Sequence, residues 1–471
     1  MGGKCDIGLI GLAVMGQNLA LNIESAGYQV AVYNRTTTTT EEFIKKRASN
    51  KNINPAYSLE EFVSLLQVPR KIILMVKAGA PVDYVIESLL PYLEEGDIII
   101  DGGNSYYRDT ERRVRGLKER GIRFLGTGIS GGEYGALHGP SIMPGGDESA
   151  YREVEEIFSK IAARAEDGPC VSYLGEGSAG HYVKMVHNGI EYGVMELIAE
   201  SYDLMRKTLG LSPAEMGGIF REWNEEQQSY LLEITGEIMD REDQETGKPL
   251  IDLISDVANQ KGTGKWTAQE ALDLGVPVPV ITAAVNARYL SSYKEERGEF
   301  SRLFPAPERK TADRDFLVAL EEALYLATVT AYAEGMDLLK RASSEYGYNL
   351  PLAEVARIWQ DGCIIRSNLL KQIQRIYKEA GETASIILSD EFSSDFAGKI
   401  ENLRRVVSLA AVEGIPVPAF SAALAYFDSL SARDLPANLI QAQRDYFGAH
   451  TYQRKDKEGT FHTDWQDIKN V

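Results

Sequence analysis

The chain has 471 residues, of which 44% are hydrophobic and 25% charged, so it has the composition of a soluble protein and is too long for one hydrophobic core. Its formal net charge of −19 argues against nucleic acid as a partner, because binding a polyanion requires a basic face. The longest apolar runs are too short to span a bilayer, and the three cysteines form no CxxC pair. We therefore expect a cytoplasmic protein of two or more domains, with neither a membrane nor a nucleic-acid partner.

The N-terminal segment has the pattern strand, glycine-rich turn, helix, strand. "KCDIGLIG" predicts a buried strand, "GLAVMGQNLALNIESAG" predicts a turn and a helix that ends at Gly27, and "YQVAVYNR" predicts a second strand. In this context the turn indicates a dinucleotide site, where the helix N-terminus meets the pyrophosphate. The middle glycine of the usual fingerprint is replaced by alanine. The predicted cofactor-binding residues of the turn are Gly11, Leu12, Ala13, Val14, Met15 and Gly16.

The residues after the second strand distinguish NAD from NADP. An NAD enzyme usually has an acidic residue here, which binds the ribose 2′-hydroxyl. This chain has Asn34, Arg35 and Thr36 instead. A carboxylate would repel a 2′-phosphate, whereas Arg35 can form a forked pair of hydrogen bonds with it and Thr36 can donate another. We therefore predict NADP as the cofactor.

Two further strands, in "KIILMVKAG" and "DIIIDGGNS", are each followed by polar residues. Ligands of open α/β sheets bind beyond the carboxyl ends of the strands, so we expect Val76, Lys77, Ala78 and Asn104 at the cofactor. In the glycine-rich segment that follows, Ser130, Gly131 and Gly132 offer adjacent N–H groups that can bind a carboxylate. A last strand near "VSYLGEGSAG" predicts that the domain ends at about residue 178.

The rest of the chain is predicted to be helical and internally duplicated. Residues 255–292 recur, shifted by 139 positions without a gap, as residues 394–431, and 196–220 recur less regularly as 329–359. Stacked copies of one helical unit would share a core. We predict a Rossmann-type α/β nucleotide-binding domain over 1–178, a large all-α domain over 179–435 with repeats of about 184–292 and 318–431, and a C-terminal tail over 436–471.

One helix of the first repeat carries a polar stripe. In "KMVHNGIEYG", Lys184, His187, Asn188, Glu191 and Tyr192 follow the spacing i, i+3, i+4, i+7 and i+8, and therefore share one face. Apolar core residues normally occupy this spacing. A solvated face would carry Lys and Glu rather than His, Asn and Tyr. The stripe is therefore a candidate for chemistry.

The second repeat serves as an internal control for the first. Features that both copies keep are candidates for architecture, and features that only one copy has are candidates for function. Three features change. The polar stripe becomes, approximately, Glu321, Glu322, Tyr325 and Leu326. The loop from Lys261 to Gly264 becomes the helical sequence 400–403, and Arg288 becomes Phe427.

The chain resembles the decarboxylating 6-phosphogluconate dehydrogenase family. The motifs that carry the resemblance run in order along essentially the whole chain: "GLAVMGQN", "NRT", "DGGNS", "SGGEYGA", "KMVHNGIEY", "SDVANQKGTGKW" and, in the tail, "QAQRDYFGAHTYQR". The resemblance implies a homodimer that oxidises 6-phospho-D-gluconate with NADP to D-ribulose 5-phosphate and carbon dioxide, without a metal. This reaction belongs to gluconate utilisation and the oxidative branch of the pentose phosphate pathway.

The resemblance also implies roles for individual residues. Lys184 matches the base that polarises the new carbonyl, and Glu191 matches the acid that protonates the enediol. Substrate-binding positions fall into four groups: Asn104, Ser130, Gly131 and Gly132 at the sugar-acid end; His187 and Asn188 at the hydroxyls and the cofactor; Tyr192, Lys261 and Arg288 at the phosphate; and Arg444 and His450 donated to the phosphate by the neighbouring subunit's tail.

Two other functions remain open from the sequence. A shorter hydroxyisobutyrate-type dehydrogenase shares the nucleotide domain and a catalytic lysine, but it has no phosphate to bind and would need neither Lys261 nor Arg288. A catalytically silent NADP-binding dimer is the other alternative, and the intact pair of Lys184 and Glu191 argues against it. The non-catalytic interpretation of Lys184 is a structural ion pair with Glu191.

Overall fold

A computed structural model describes residues 3–307, 313–381 and 385–465 of the chain. The chain divides into two compact units, Met1–Ala423 and Leu424–Val471. The predicted tail therefore lies within the second unit, and its last six residues fall outside the described part. Met1 and Gly2, at the start of the predicted nucleotide domain, also lie outside it.

A seven-stranded sheet forms the N-terminal part of the first unit, with the strand order β3-β2-β1-β4-β5-β6-β7. Strands β1 to β6 are parallel, and β7 pairs antiparallel with β6. A separate two-residue hairpin, β8 and β9, follows the sheet. The strands are β1 Ile7–Ile10, β2 Val30–Tyr33, β3 Ile53–Ala56, β4 Lys71–Leu74, β5 Ile98–Asp101, β6 Arg123–Ile129, β7 Ile142–Gly146, β8 Arg164–Ala165 and β9 Gly168–Pro169.

Helices cover both faces of this sheet and build two hydrophobic cores. Successive strand residues point to opposite faces, so Ile73 lies in one core while Ile72 and Leu74 lie in the other. The predicted Rossmann-type architecture is confirmed. The last predicted strand is wrong: of residues 171–174 only Val171 forms a single bridge, to Ile142. The helices are α1 Val14–Ser25, α2 Thr37–Phe43, α3 Leu59–Ser64, α4 Ala80–Leu89, α5 Tyr107–Lys118, α6 Gly132–His138 and α7 Glu148–Ile161.

The remainder of the chain is helical. Its elements are α8 Ala179–Leu209, α9 Pro213–Gln227, α10 Tyr230–Met239, α11 Thr263–Leu274, α12 Pro279–Ser291, α13 Lys294–Leu303, α14 Phe316–Tyr346, α15 Leu352–Ile358, α16 Leu369–Ala380, α17 Asp390–Glu413, α18 Pro418–Ser431 and α19 Ala437–Gly448. By length and composition, α14 alone in the described ranges could cross a membrane, and 72% of its apolar stretch is buried inside the protein.

The helices repeat in the way that the sequence predicts. Helices α8 and α14 have 31 residues each and end at left-handed glycines, Gly210 and Gly347. Helices α12 and α18 both begin at a proline, after a glycine that ends the preceding helix. Residues 400–403 lie inside α17, whereas Lys261 and Gly262 precede α11. The loop predicted over 261–264 is therefore shorter than expected, because Thr263 and Gly264 already belong to α11.

The second unit is organised around one buried carboxylate. Asp445 of α19 is fully buried and accepts hydrogen bonds from the backbone of Thr451 and Thr463, at 2.9 and 3.0 Å. The side chains of His462 and Trp465 bond to the same carboxylate, at 2.9 and 2.8 Å. These bonds lower the pKa of Asp445 to about 2, against the opposing effect of desolvation. Residues 445–465 therefore have an ordered conformation of their own.

Candidate active site

Helix α8 lies directly on strands β6 and β7 because glycines remove the side chains between them. A Cβ placed on Gly128 would lie 2.4 Å from the Cβ of Lys184. One placed on Gly145 would lie 2.2 Å from the backbone nitrogen of Gly180. These separations are shorter than van der Waals contact allows, so only glycine permits this packing. The close approach brings Lys184 beside Ser130, which directly follows β6.

Four buried side chains form a continuous set of contacts at this point. Lys184 Nζ donates to Ser130 Oγ at 3.0 Å and lies 3.3 Å from His187 Nδ1. Ser130 Oγ lies 3.2 Å from His187 Nε2, and His187 Nδ1 lies 2.9 Å from Asn188 Oδ1. Because Asn188 Oδ1 can only accept, Nδ1 carries the imidazole proton and the Ser130 hydroxyl donates to Nε2, so the 3.3 Å approach of Lys184 Nζ to Nδ1 is not a hydrogen bond while the amine is protonated. The polar stripe thus faces the carboxyl end of the sheet.

Burial sets the protonation of this cluster. Lys184 is 5% exposed, and desolvation lowers its pKa to about 8, although the Glu191 carboxylate opposes the shift. Burial, and then the charge of Lys184, lower the pKa of His187 well below its usual range. The Glu191 carboxylate lies 3.9 Å from His187 Nδ1. Burial raises the pKa of Glu191, although the positive charges of Lys184 and Arg288 act to lower it. An amine that is readily neutral and a carboxyl that is readily protonated therefore share one helical face.

The other end of the stripe meets α11 and α12. The guanidinium of Arg288 lies 3.5 Å from the centre of the Tyr192 ring. The backbone of α11 packs on that ring, since a Cβ on Gly264 would lie 2.4 Å from it. Lys261, in the loop that precedes α11, is exposed. The structure thus places Arg288 on Tyr192, and it gives Lys261 no contact that would fix its side chain.

The N-terminal turn has the geometry of a phosphate-binding loop. Gly11 has φ +102°, and a Cβ there would lie 2.4 Å from Met75 O. A Cβ on Gly16 would lie 1.9 Å from Gly11 O, so both glycines are required for the close turn. Ala13, which precedes α1, makes no side-chain cap and is exposed like Val14. The first N–H groups of α1 are therefore not occupied by a capping side chain.

Asn34 forms hydrogen bonds within the turn itself. Its Oδ1 accepts from the N–H of Leu12 at 3.1 Å, and its Nδ2 donates to Thr36 O at 3.2 Å, so it holds the turn together. Arg35 and Thr36 are exposed, and the Thr36 side chain does not cap α2. Arg35 and Thr36 are thus the residues of this segment whose side chains face solvent.

The remaining predicted ligand residues lie at the carboxyl ends of β4, β5 and β6. Lys77 and Asn104 are exposed, and Val76 and Ala78 are half-buried beside Lys77. The expectation of three free N–H groups at Ser130, Gly131 and Gly132 is wrong in part. The N–H of Ser130 donates to Ser141 O at 3.0 Å, because residue 130 continues the pairing of β6 with the start of β7.

Several residues at the site belong to no motif of the sequence. Glu270 of α11 accepts hydrogen bonds from Tyr107 and Arg108 of α5 and from Tyr346 of α14. It thereby ties the helix after the Asn104 loop to the helix after the Lys261 loop. The Trp359 ring stands edge-on to His187 with centroids 5.6 Å apart. These partners are distant in sequence, so no local motif could reveal them.

Arg444 and His450 lie in the second unit. Both are exposed, and Arg444 Nη1 donates to Gln441 Oε1 at 3.2 Å on the same helix. In residues 3–307, 313–381 and 385–465, no group of three His, Cys, Asp or Glu side chains is placed to hold a metal ion.

Comparisons with known proteins agree along the whole chain. Residues 6–175 match the family described as the NAD binding domain of 6-phosphogluconate dehydrogenase, and residues 180–465 match its C-terminal domain. The NADP(+)-dependent, decarboxylating enzyme of Bacillus subtilis is 55% identical over 98% of this chain and 99% of its own length. The decarboxylating enzyme of Escherichia coli is 53% identical over 98% of this chain and 100% of its own length.

A solved structure matches the fold closely. The 6-phosphogluconate dehydrogenase of Plasmodium falciparum, described in its apo form and in complexes with NADP+ and with 6-phosphogluconate, superimposes with a TM-score of 0.94 at 48% identity. The match covers 98% of this chain and 100% of the other. By its sequence and by its fold, this chain belongs to the 6-phosphogluconate dehydrogenase family.

Proposed function

We propose that this chain converts 6-phospho-D-gluconate to D-ribulose 5-phosphate and carbon dioxide with reduction of NADP, and that the cluster around Lys184 is the catalytic centre. Its relatives of this activity are 53–55% identical over nearly the full length, which favours this function over a hydroxyisobutyrate-type enzyme or a silent NADP-binding dimer. The observation that carries the residue assignment is the buried contact between Lys184 and Ser130 at the end of β6.

The glycine-rich turn fits NADP. The N–H groups at the start of α1 would bind the pyrophosphate, and the exposed Arg35 and Thr36 would bind the 2′-phosphate. When bound, NADP supplies the acceptor of a hydride from the substrate. The complete set of residues proposed to hold it is Gly11, Leu12, Ala13, Val14, Met15, Gly16, Asn34, Arg35, Thr36, Val76, Lys77, Ala78 and Asn104, with Asn34 acting through the turn.

Lys184 acts as the base. With a pKa of about 8, a useful fraction of its amines is neutral near physiological pH and can take the proton of the substrate's C3 hydroxyl. The resulting ammonium then donates a hydrogen bond to the new C3 carbonyl oxygen. This bond stabilises the negative charge that develops there as the neighbouring carboxylate leaves as carbon dioxide. Ser130, which accepts from the amine, orients it.

Glu191 acts as the acid in the last step. Burial favours its protonated form, and its position two turns along α8 from Lys184 puts both groups on one face. Decarboxylation leaves an enediol, which needs a proton on carbon to become the ketose product. A carboxyl with a raised pKa can supply this proton, which a fully ionised one cannot.

The same face binds the substrate. His187 and Asn188 hold its hydroxyl groups, and Asn104 with residues 130–132 holds the sugar-acid end. The phosphate is bound by Tyr192, Arg288 and Lys261. The position of the Arg288 guanidinium on the Tyr192 ring gives this assignment its clearest support.

We also propose a homodimer in which each tail completes the site of its partner. Phosphate binding gains from added cations in a chain of net charge −19, and Arg444 and His450 would donate them from a tail that is compact on its own. An apolar surface on α12 and α13 is available for subunit contact, and its exposed residues are Leu290, Tyr293, Phe300, Leu303 and Phe304. The proposed location is the cytoplasm, in keeping with three buried, unpaired cysteines.

The test is a substrate comparison on the purified chain. NADPH formation and carbon dioxide release are followed with 6-phosphogluconate, gluconate and 3-hydroxyisobutyrate, with Lys184→Ala as the control for the site. We expect both signals, in equal amounts, with 6-phosphogluconate alone. NADPH without carbon dioxide, or equal turnover of 3-hydroxyisobutyrate, would refute the proposal, and so would an active Lys184→Ala variant.

A further inference from the structure

The first N–H groups of helix α12 donate hydrogen bonds to a carboxyl group of another helix. Glu334 of α14 accepts the N–H of Val280 at 2.9 Å and the N–H of Ile281 at 3.1 Å, one on each oxygen. Glu334 is fully buried, and the residue that precedes α12, Val278, offers no side-chain cap. The first free N–H groups of a buried helix need an acceptor, and Glu334 supplies it.

The duplication contains the same device a second time. Glu200 of α8 accepts the N–H groups of Ala419 and Phe420, at 2.6 and 3.0 Å, at the start of α18. Glu200 and Glu334 occupy matching places in "AESYDL" and "AEGMDL". Each long helix therefore fixes the start of the short helix of the other copy. The device is architectural in both copies, but only α12 carries side chains of the proposed site.

Helix α12 carries Arg288, one of the residues proposed to bind the substrate phosphate. Ala284, Val285 and Arg288 follow Ile281 at the spacing i+3, i+4 and i+7, and therefore lie on one face. Ala284 and Val285 pack with Tyr192, and the guanidinium of Arg288 covers the ring of Tyr192. The lengthwise and rotational position of α12 therefore sets where Arg288 lies relative to α8.

The start of α12 is also where three helices touch. A Cβ on Gly193 of α8 would lie 3.4 Å from Val280 of α12 and 3.3 Å from Ala331 of α14. Glu334 lies one turn beyond Ala331 on α14, so its carboxyl group bonds to α12 close to the point where α12 and α14 both meet Gly193 of α8. Removing one acceptor frees this end of the helix, and Arg288 lies about 10 Å along it.

We infer that Glu334 is a positioning residue for the substrate phosphate, because it fixes the start of α12 and through it the place of Arg288 on Tyr192. This inference rests on the proposed phosphate-binding role of Arg288. Glu334 itself lies among backbone donors and contacts no proposed substrate atom.

The experiment compares Glu334→Gln with Glu200→Gln, which is the matched control supplied by the duplication. Each amide loses one of two acceptors at an equivalent helix start, so we expect similar losses of thermal stability. Glu334→Gln should raise KM for 6-phosphogluconate roughly fivefold, with kcat and KM for NADP little changed, since one buried hydrogen bond controls a factor of that order. Glu200→Gln should leave all three constants unchanged. If Glu334→Gln does not fold, Glu334→Asp, which keeps the carboxyl group and shortens its reach, takes its place.

A double-mutant cycle with Arg288→Ala separates the inference from its premise. Arg288→Ala alone should raise KM for 6-phosphogluconate, and adding Glu334→Gln should raise it little further, because the two act through one contact. Effects that multiply, or a KM for Glu334→Gln no higher than for Glu200→Gln, would overturn the positioning role while leaving the phosphate site intact. An unchanged KM in Arg288→Ala would instead refute the phosphate role, and the inference with it.

Discussion

Replacing Lys184 by methionine should abolish the reaction and yet stabilise the protein near neutral pH. The side chain is 5% exposed, and burial lowers its pKa from an ordinary 10.5 to about 8. At about 1.4 kcal/mol for each pH unit, the charged form costs the folded state about 3 kcal/mol below pH 8. Methionine has a similar length and no charge, so this cost disappears. The loss of the hydrogen bond to Ser130 reduces the gain in stability by about 1 kcal/mol.

The sign of the pH dependence follows from linkage. Between pH 8 and pH 10.5 the unfolded chain binds the proton that the folded chain has lost, so the folded wild type gains stability as pH rises through this window. The advantage of Lys184→Met should therefore be about 2 kcal/mol near pH 7 and should vanish at about pH 10, where the remaining burial cost equals the contribution of the lost hydrogen bond. Above this range the variant should be slightly the less stable, because only the missing hydrogen bond remains.

Calorimetric unfolding of both proteins across this range measures the difference, and Lys248→Met, at an exposed lysine, controls for the loss of one positive charge. The wild-type kcat/KM for 6-phosphogluconate should rise with pH, reach half of its maximum near pH 8 and level off about one unit higher, because the neutral amine is the proposed reactive form. A variant that is less stable than wild type by the same amount at every pH would refute the claim that the lysine carries a burial cost.

Three further predictions concern the cofactor, the acid and the tail. Arg35→Ala should weaken NADP severalfold more than NAD, as measured by their KM values, because only NADP carries the 2′-phosphate; equal losses would exclude that role. Glu191→Gln should slow tritium exchange into ribulose 5-phosphate more than it slows oxidation of 6-phosphogluconate, and equal losses would give Glu191 another role. Lys184→Ala dimers and dimers that lack residues 436–471 should each be nearly inactive, whereas a mixed dimer should regain one working site; inactive heterodimers, once shown to form, would rule out donation of the tail in trans.

Local patterns were enough to predict the fold and to single out the residues of the candidate site. The strand–turn–helix pattern at Gly11 and the polar spacing from Lys184 to Tyr192 both reflect periodicities that the chain imposes on itself. The two copies of the repeat also identified Arg288 by contrast with Phe427. The predicted domain boundaries at 178 and 435, and the roles of the site residues, stay predictions.

Contacts between elements that are distant in sequence could not be predicted from local patterns. In the glycine-rich segment around Ser130 the sequence indicates carboxylate binding, but Gly128 and Gly145 are needed because α8 lies on them. Which glycine is needed depends on what lies opposite, and that partner is 35 or more residues away. Glu334 was missed for the same reason, since its partners are the N–H groups of a helix in the other copy.

Helix α8 belongs to both halves of the first unit at once. Its first turns lie on β6 and β7 without intervening side chains, and its later turns pack against α11, α12 and α14. Lys184, the proposed base, therefore cannot move away from the nucleotide-binding sheet while α8 stays straight. The packing of α8 on β6 and β7 also limits which nucleotide-binding domains can be joined to the helical part of this enzyme. A chimera that joins a foreign nucleotide domain at residue 178 would have to bring glycines at positions 128 and 145 with it, or the borrowed sheet would push the lysine out of reach.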